Sequence, residues 1–202
     1  MTVQAALEGA GIDPRRVFVS GPPAPGSPPP PEGPWVIVPV EAGFSVGGFG
    51  RGHFAIYETV ATADEAAALV ARLVEPAPTV AAPAGDVLDR VGAATAAAMK
   101  ARVAARGGAA GPAYVEPGDL LDVLGPDTGH HLYALGTPLP ERAQPPSLIG
   151  GEYHRYKVQA ALTDAVEGVA APWFEQPGGG AMVMTHRPIR WYVDQRMLVE
   201  LA

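Results

Sequence analysis

The sequence predicts an α+β protein in several parts: a small N-terminal β-β-β-α module, a bridging helix, and a C-terminal domain with a mostly antiparallel sheet. Three observations carry this expectation. Runs rich in β-branched and aromatic residues recur at 35–40, 44–49 and 53–60, and an amphipathic helical stretch follows them. An alanine-rich run at 86–108 has helical composition and no chemistry of its own. From about residue 113 onward His, Tyr, Trp and Arg become more frequent, and short strand-like runs return.

Residues 1–34 read as an N-terminal segment ending in a linker. "GPPAPGSPPPPEGP" (21–34) cannot continue a helix or sit in a central strand, because prolines remove N–H donors and glycines lack a φ/ψ preference. An extended, polyproline-like spacer is expected there. The module at 35–80 begins with "WVIVPV" (35–40), "FSVGGF" (44–49) and "HFAIYETV" (53–60), a three-stranded meander split by "EAG" and "GRG". The glycines of "GGFGRG" have a loose phosphate-loop spacing. They join two strands rather than open a helix, so they read as a hairpin turn. "ATADEAAALVARLVEP" (61–76) is the helix, with Thr62 or Asp64 as cap and Ala67, Leu69, Val70, Leu73 and Val74 on its apolar face. "PAPTVAAPAG" (76–85) reads as a second linker.

The bridging helix is expected over 86–108, with "GG" as its stop. In the domain at 113–202 a short helix is expected over 117–124, after Pro117. Strands are expected at 153–160, 181–185, 190–193 and 197–201.

Composition narrows the function. A net charge of −7 argues against nucleic acid or an anionic membrane surface as the main partner. Cysteine is absent, which removes disulfides, thiolate metal sites and a Cys nucleophile. No apolar run is long enough to span a membrane, and "MTVQAALEGAGIDPRR" lacks the pattern of a cleavable signal peptide. The expected location is cytoplasmic, or exported by a route without such a signal. His130 and His131 are adjacent and lack a third ligand at metal spacing. Asp122 and Asp127 sit in no Asp-rich loop closed by Glu, so no metal is assigned.

Three pieces remain: "GTPLPERAQPP" (136–146), "YHRYKV" (153–158) and "APWFEQPGGG" (171–180). In order, spacing and residue type they resemble the TNT domain, the NAD⁺ glycohydrolase family named after tuberculosis necrotizing toxin. The resemblance covers roughly residues 115–202. It implies hydrolysis of the bond between nicotinamide and ribose in NAD⁺, or NADP⁺, by a toxin or effector with no cofactor beyond its substrate. An immunity protein is the implied partner. The implied catalytic pair is Gln176, bonding the ribose or its water, and His154, orienting the substrate. Arg142 matches the family arginine that would hold the diphosphate. Gly178, Gly179 and Gly180 would let backbone and ligand approach closely, and Trp173 and Phe174 would wall a ring.

Such a reaction needs no general acid on the leaving group, because nicotinamide departs from an already cationic state. Orientation, a polar amide and one admitted water are what it requires. The arginine of the family's "DRFG" segment falls on Val123 here, and the aromatic eight residues later falls on His131. Arg155 and His130 are the nearest substitutes for that cation, and Glu175 stands where the family has glycine. A catalytically weak or inactive NAD-binding or partner-binding relative is the alternative, and Val123 is its supporting feature. ADP-ribosyl transfer with Glu175 as the carboxylate is a third possibility.

Overall fold

A helix whose first turn carries a hydroxyl cap opens the chain in the computed structural model, which describes residues 2–21 and 26–202. Residues 22–25 of the expected proline-rich spacer lie outside the described residues. Contacts divide the chain into two units, Met1–Pro76 with Thr128–His130, and Ala77–Asp127 with His131–Ala202.

In the first unit, α1 (Val3–Gly9) is capped by Thr2, whose side chain accepts from Ala5 N–H at 3.3 Å. Strand β1 (Val17–Val19) pairs in parallel with β2 (Trp35–Val40), which continues into β3 (Gly43–Gly50) and β4 (His53–Val60) in the order β1-β2-β3-β4. The meander is as expected. The sequence reading assigns no element to residues 1–20, so α1 and β1 are additions to that picture. The register of β3 against β4 shifts between Val46 and Gly47, where a Cβ on Gly47 would meet the Ala55 carbonyl. Trp35 is buried edge-on against Tyr57, with ring centroids 5.8 Å apart. Helix α2 (Ala63–Leu73) starts at a reciprocal cap: Glu65 N–H donates to Thr62 at 3.2 Å, and Thr62 N–H donates to Glu65 at 3.0 Å. It buries Ala66, Ala67, Leu69, Val70 and Leu73, the periodicity read from the sequence.

The second unit is an eight-stranded sheet in the order β5-β12-β9-β7-β8-β11-β10-β6. Its strands are β5 (Thr79–Val80), β6 (Gly111–Pro112), β7 (Leu120–Leu124), β8 (His131–Ala134), β9 (Tyr153–Val158), β10 (Val166–Val169), β11 (Ala181–Met184) and β12 (Leu198–Leu201). Every pairing is antiparallel except β5 with β12. The α+β class with mostly antiparallel strands is therefore as the sequence predicts. The core gathers Leu121, Val123, Leu132, Tyr156, Val183 and Leu198 from the sheet with Met99, Ile189 and Tyr192 from helices.

Helix α3 (Gly85–Ala105) packs on β7, β8, β10 and β11 inside this unit. Gly92 permits the approach, since a Cβ there would meet the Leu135 carbonyl at 2.5 Å. The fully buried Glu167 of β10 holds the helix by ion pairs to Arg102 at 2.9 Å and Arg106 at 3.1 Å. Two local expectations change. Residues 120–124 form β7 rather than a helix: Gly118 takes φ +105°, which ends the turn, and "LLDV" is buried on both faces. Residues 190–193 lie in α5 (Ile189–Asp194), where Arg190 pairs with Asp194 at 3.1 Å one turn on, and Ile189 and Tyr192 enter the core. Burial overrides the strand preference of "WYV". Part of the expected second linker is β5, laid along β12. Among the described residues, no helix is long and apolar enough to cross a membrane.

Candidate active site

Strand β9 divides the candidate residues by alternation. Across β7, Tyr153 pairs with Leu124, His154 with Val123 and Arg155 with Asp122. Cross-strand partners share a face and successive residues do not. Tyr153, Arg155 and Asp122 therefore lie on one face, and His154, Val123 and Tyr156 on the other.

On the first face a buried polar knot forms around Asp122. Its Oδ2 accepts from Arg142 Nη2 at 2.7 Å, from the Tyr153 hydroxyl at 2.8 Å and from Gly136 N–H at 3.2 Å. Arg142 is placed by α4 (Leu139–Arg142), a single turn set by Pro138 and ended by Ala143 at φ +48°. Its Nε donates to the Thr137 carbonyl at 2.7 Å, its guanidinium lies over the Tyr133 ring at 5.1 Å, and the Tyr133 hydroxyl donates to the Arg142 carbonyl at 2.8 Å. Asp122 Oδ1 is buried and has no hydrogen-bond partner among the described residues. Burial, the neighbouring Asp122 charge and the bond to it all push the Tyr153 hydroxyl above its ordinary range.

The 171–180 loop is fixed to the segment that carries Arg142. Trp173 and Gln176 exchange backbone hydrogen bonds of 3.2 and 2.9 Å, and the residues between them, Phe174 and Glu175, have φ +49° and +59°. This is the mirror-image turn that normally selects glycine or asparagine. Two non-glycine left-handed residues in succession store strain, on the order of 1 kcal/mol each. Gly178 N–H then donates to the Pro140 carbonyl at 3.2 Å and Gly180 N–H to the Glu141 carbonyl at 2.9 Å. A Cβ on Gly178 would strike the Ala170 carbonyl, and one on Gly180 would lie 2.6 Å from Thr137 Cγ2. Gln176 Nε2 donates to the Gln144 carbonyl at 3.0 Å, and Gln144 Nε2 to the Leu124 carbonyl at 3.2 Å. The rings of Trp173 and Phe174 are 4.3 Å apart, and both residues are over two-fifths exposed.

On the second face, His154 Nδ1 is 2.7 Å from Glu200 Oε1 and Nε2 is 3.3 Å from Glu152 Oε2. The Glu200 bond raises the imidazole above its ordinary value against the opposing effect of burial. The ring stacks on Tyr156 at 6.2 Å. Asp127, raised by its own burial, pairs with Arg190 at 3.5 Å.

The structure thus gathers Arg142, Gln176, the glycines, Trp173 and Phe174 around one loop pair. His154 stands on the other face of β9, and among the described residues no hydrogen bond joins it to Gln176. Arg155 donates to the Ala202 carbonyl. His131 is partly exposed on β8 opposite Met184. His130 is buried in the first unit beside His53. Glu200, Asp122 and Tyr153 are the site neighbours that spacing does not reveal. The cross-strand register that brings them in is set by pairing, although Tyr153 adjoins His154 in the motif itself. Among the described residues, no group of three His, Cys, Asp or Glu is arranged to hold a metal ion.

Residues 114–201 match the family model described as Tuberculosis necrotizing toxin. Over 98 residues the chain is 35% identical to the conidial surface nicotinamide adenine dinucleotide glycohydrolase of Aspergillus fumigatus, a match covering 45% of this chain and 42% of that protein. The chain spans less than half the length of that relative. It is also similar to the solved tuberculosis necrotizing toxin complexed with its immunity factor, at 25% identity and a TM-score of 0.36, covering 40% of this chain and 46% of that one.

Proposed function

We propose, starting from a C-terminal region that matches the tuberculosis necrotizing toxin family, that residues 114–201 form an NAD⁺ glycohydrolase. Water attacks the anomeric carbon of the nicotinamide ribose, the N-glycosidic bond breaks, and nicotinamide, ADP-ribose and a proton are released. The observation that carries the reading is the 171–180 loop. It holds Gln176 on a strained turn beside two exposed aromatic rings. An amide fixed in this way can hold a ribose hydroxyl or the attacking water without reorganising. His154 and Tyr153 both lie at the start of β9, and the Gln176–Gln144 chain ends on Leu124, the partner of Tyr153. A dinucleotide laid across that strand end would reach both faces, with the aromatic rings against one base.

Depletion of a cofactor that every cell needs suits a toxin or effector, and the producing cell then requires a restraining immunity partner. Whether NADP⁺ is also accepted is part of the same proposal. The test is chromatography of NAD⁺ and NADP⁺ incubated with the full chain. Nicotinamide and ADP-ribose should appear, and Gln176→Ala should abolish them with an unchanged circular dichroism spectrum.

A second reading, a non-catalytic NAD-binding or partner-binding relative, is favoured by Val123. At the position of the family arginine this side chain is 4% exposed and belongs to the core. Intact NAD⁺ at micromolar protein, with binding seen by calorimetry, would decide for it.

A further inference from the structure

Both nitrogens of one imidazole face a carboxylate. His154 Nδ1 meets Glu200 on β12, and Nε2 meets Glu152 just before β9. A carboxylate oxygen only accepts, so each contact requires an N–H on the ring, and both together require the doubly protonated form. The two contacts are unequal. Glu200 is 14% exposed and its bond is 2.7 Å, in the range of a charge-assisted hydrogen bond. Glu152 is 62% exposed and its contact is 3.3 Å, long enough and wet enough to exchange at little cost.

We propose that Glu200 is a positioning residue that holds His154 as a cationic hydrogen-bond donor, and that Glu152 stands in for an anionic oxygen of the bound ligand. This rests on the glycohydrolase reading for its purpose, and it restricts that reading. An imidazolium has no lone pair with which to take a proton, so His154 is not the base that activates water. It fixes the substrate from the side, through Nε2–H, while Glu200 sets the ring orientation through Nδ1. The diphosphate of a dinucleotide is the ligand group that fits: it carries the charge that Glu152 offers, and a single exposed side chain is displaced when it arrives.

The other groups near the ring are accounted for. Asp127, in the connection between β7 and β8, adds to the pull on the His154 proton, and it is itself paired with Arg190 of α5. Arg190 is shared with Asp194. Tyr156 stacks on the ring at 6.2 Å, and its buried hydroxyl has no hydrogen-bond partner among the described residues. The direction of the histidine shift agrees with the geometry, its largest cause being the Glu200 bond.

The test is a pH titration of the His154 ring by heteronuclear NMR on the full chain without NAD⁺, with His154→Gln identifying the resonance. The wild-type ring should titrate above the ordinary histidine value, and Glu200→Gln should lower it by about one unit, a tenfold change in proton affinity. Glu152→Gln should leave most of the elevation and tighten binding of ADP-ribose and inorganic pyrophosphate. A wild-type ring that titrates at or below the ordinary value overturns the proposal, as does a Glu200→Gln ring that does not move. Weaker pyrophosphate binding in Glu152→Gln overturns the role of Glu152. If turnover is present, its alkaline limb should move to lower pH in Glu200→Gln. A ring that titrates as expected in a protein that leaves NAD⁺ intact keeps this assignment and removes the glycohydrolase reading.

Discussion

Arg142 and Asp122 form an ion pair closed off from solvent, 2.7 Å from Nη2 to Oδ2, with side chains 4% and 0% exposed. Removing the cation strands a carboxylate that also receives Tyr153 and Gly136. Arg142→Met should therefore lower unfolding stability by about 3–5 kcal/mol, the usual result of breaking a buried pair, as measured by urea denaturation. The double variant Arg142→Met with Asp122→Asn should recover part of that loss. A small stability change together with a large loss of NAD⁺ affinity would instead identify Arg142 as a diphosphate clamp.

The 171–180 turn makes a prediction of opposite sign. Glu175 holds φ +59°, and glycine adopts that conformation without strain. Glu175→Gly should stabilise the protein by about 1 kcal/mol in thermal or chemical unfolding. Gly178→Ala should destabilise more than Gly179→Ala. Both residues have positive φ, but only the added Cβ at 178 meets backbone, at Ala170 and Ala171, while 179 opens onto free space.

The alternation of faces along β9 explains what the sequence could and could not reveal. The meander at 35–60 is legible from its β-branched and aromatic runs, α2 from its apolar period, and α3 from its alanine content and glycine stop. The strand β7 was not, because "LLDVL" is buried on both sides and carries no period. α5 was hidden by aromatic residues whose helical state is set by burial. At the site, the residue types of the 136–146 and 171–180 segments mark the loops that meet, since Gly180 and Gly178 bond directly to Glu141 and Pro140. Glu200 could not be found in this way, because it reaches His154 only through the β9–β12 register, from 46 positions along the chain.

Acid should act on the first unit through His130. Burial, together with the nearby His53 and Arg51, lowers its pKa from the ordinary 6.5 to about 4. The unfolded chain takes up the proton first, so this contribution to stability is complete above pH 6.5 and is lost as pH falls toward 4. The loss amounts to roughly 3 kcal/mol. Hydrogen exchange over residues 35–60 should quicken across that interval, and His130→Phe should flatten the dependence.

Gly92→Ala should be harmful in spite of helix propensity. Alanine gains about 1 kcal/mol in a helix interior, but the new Cβ would lie 2.5 Å from the Leu135 carbonyl. The helix must move off the sheet, and a net loss of about 1–3 kcal/mol is expected in calorimetry or urea titration.

Both cationic partners of Glu167, Arg102 and Arg106, precede residue 114 and lie outside the region of family resemblance, which supplies it only the Tyr114 N–H at 3.4 Å. A fragment excised at that boundary would keep a sequestered anion and lose both its counter-ions. It would also bare the edge of β12 that Thr79 and Val80 cover. A fragment that keeps these partners therefore begins near Ala77, and shorter excisions should aggregate even where every motif is intact.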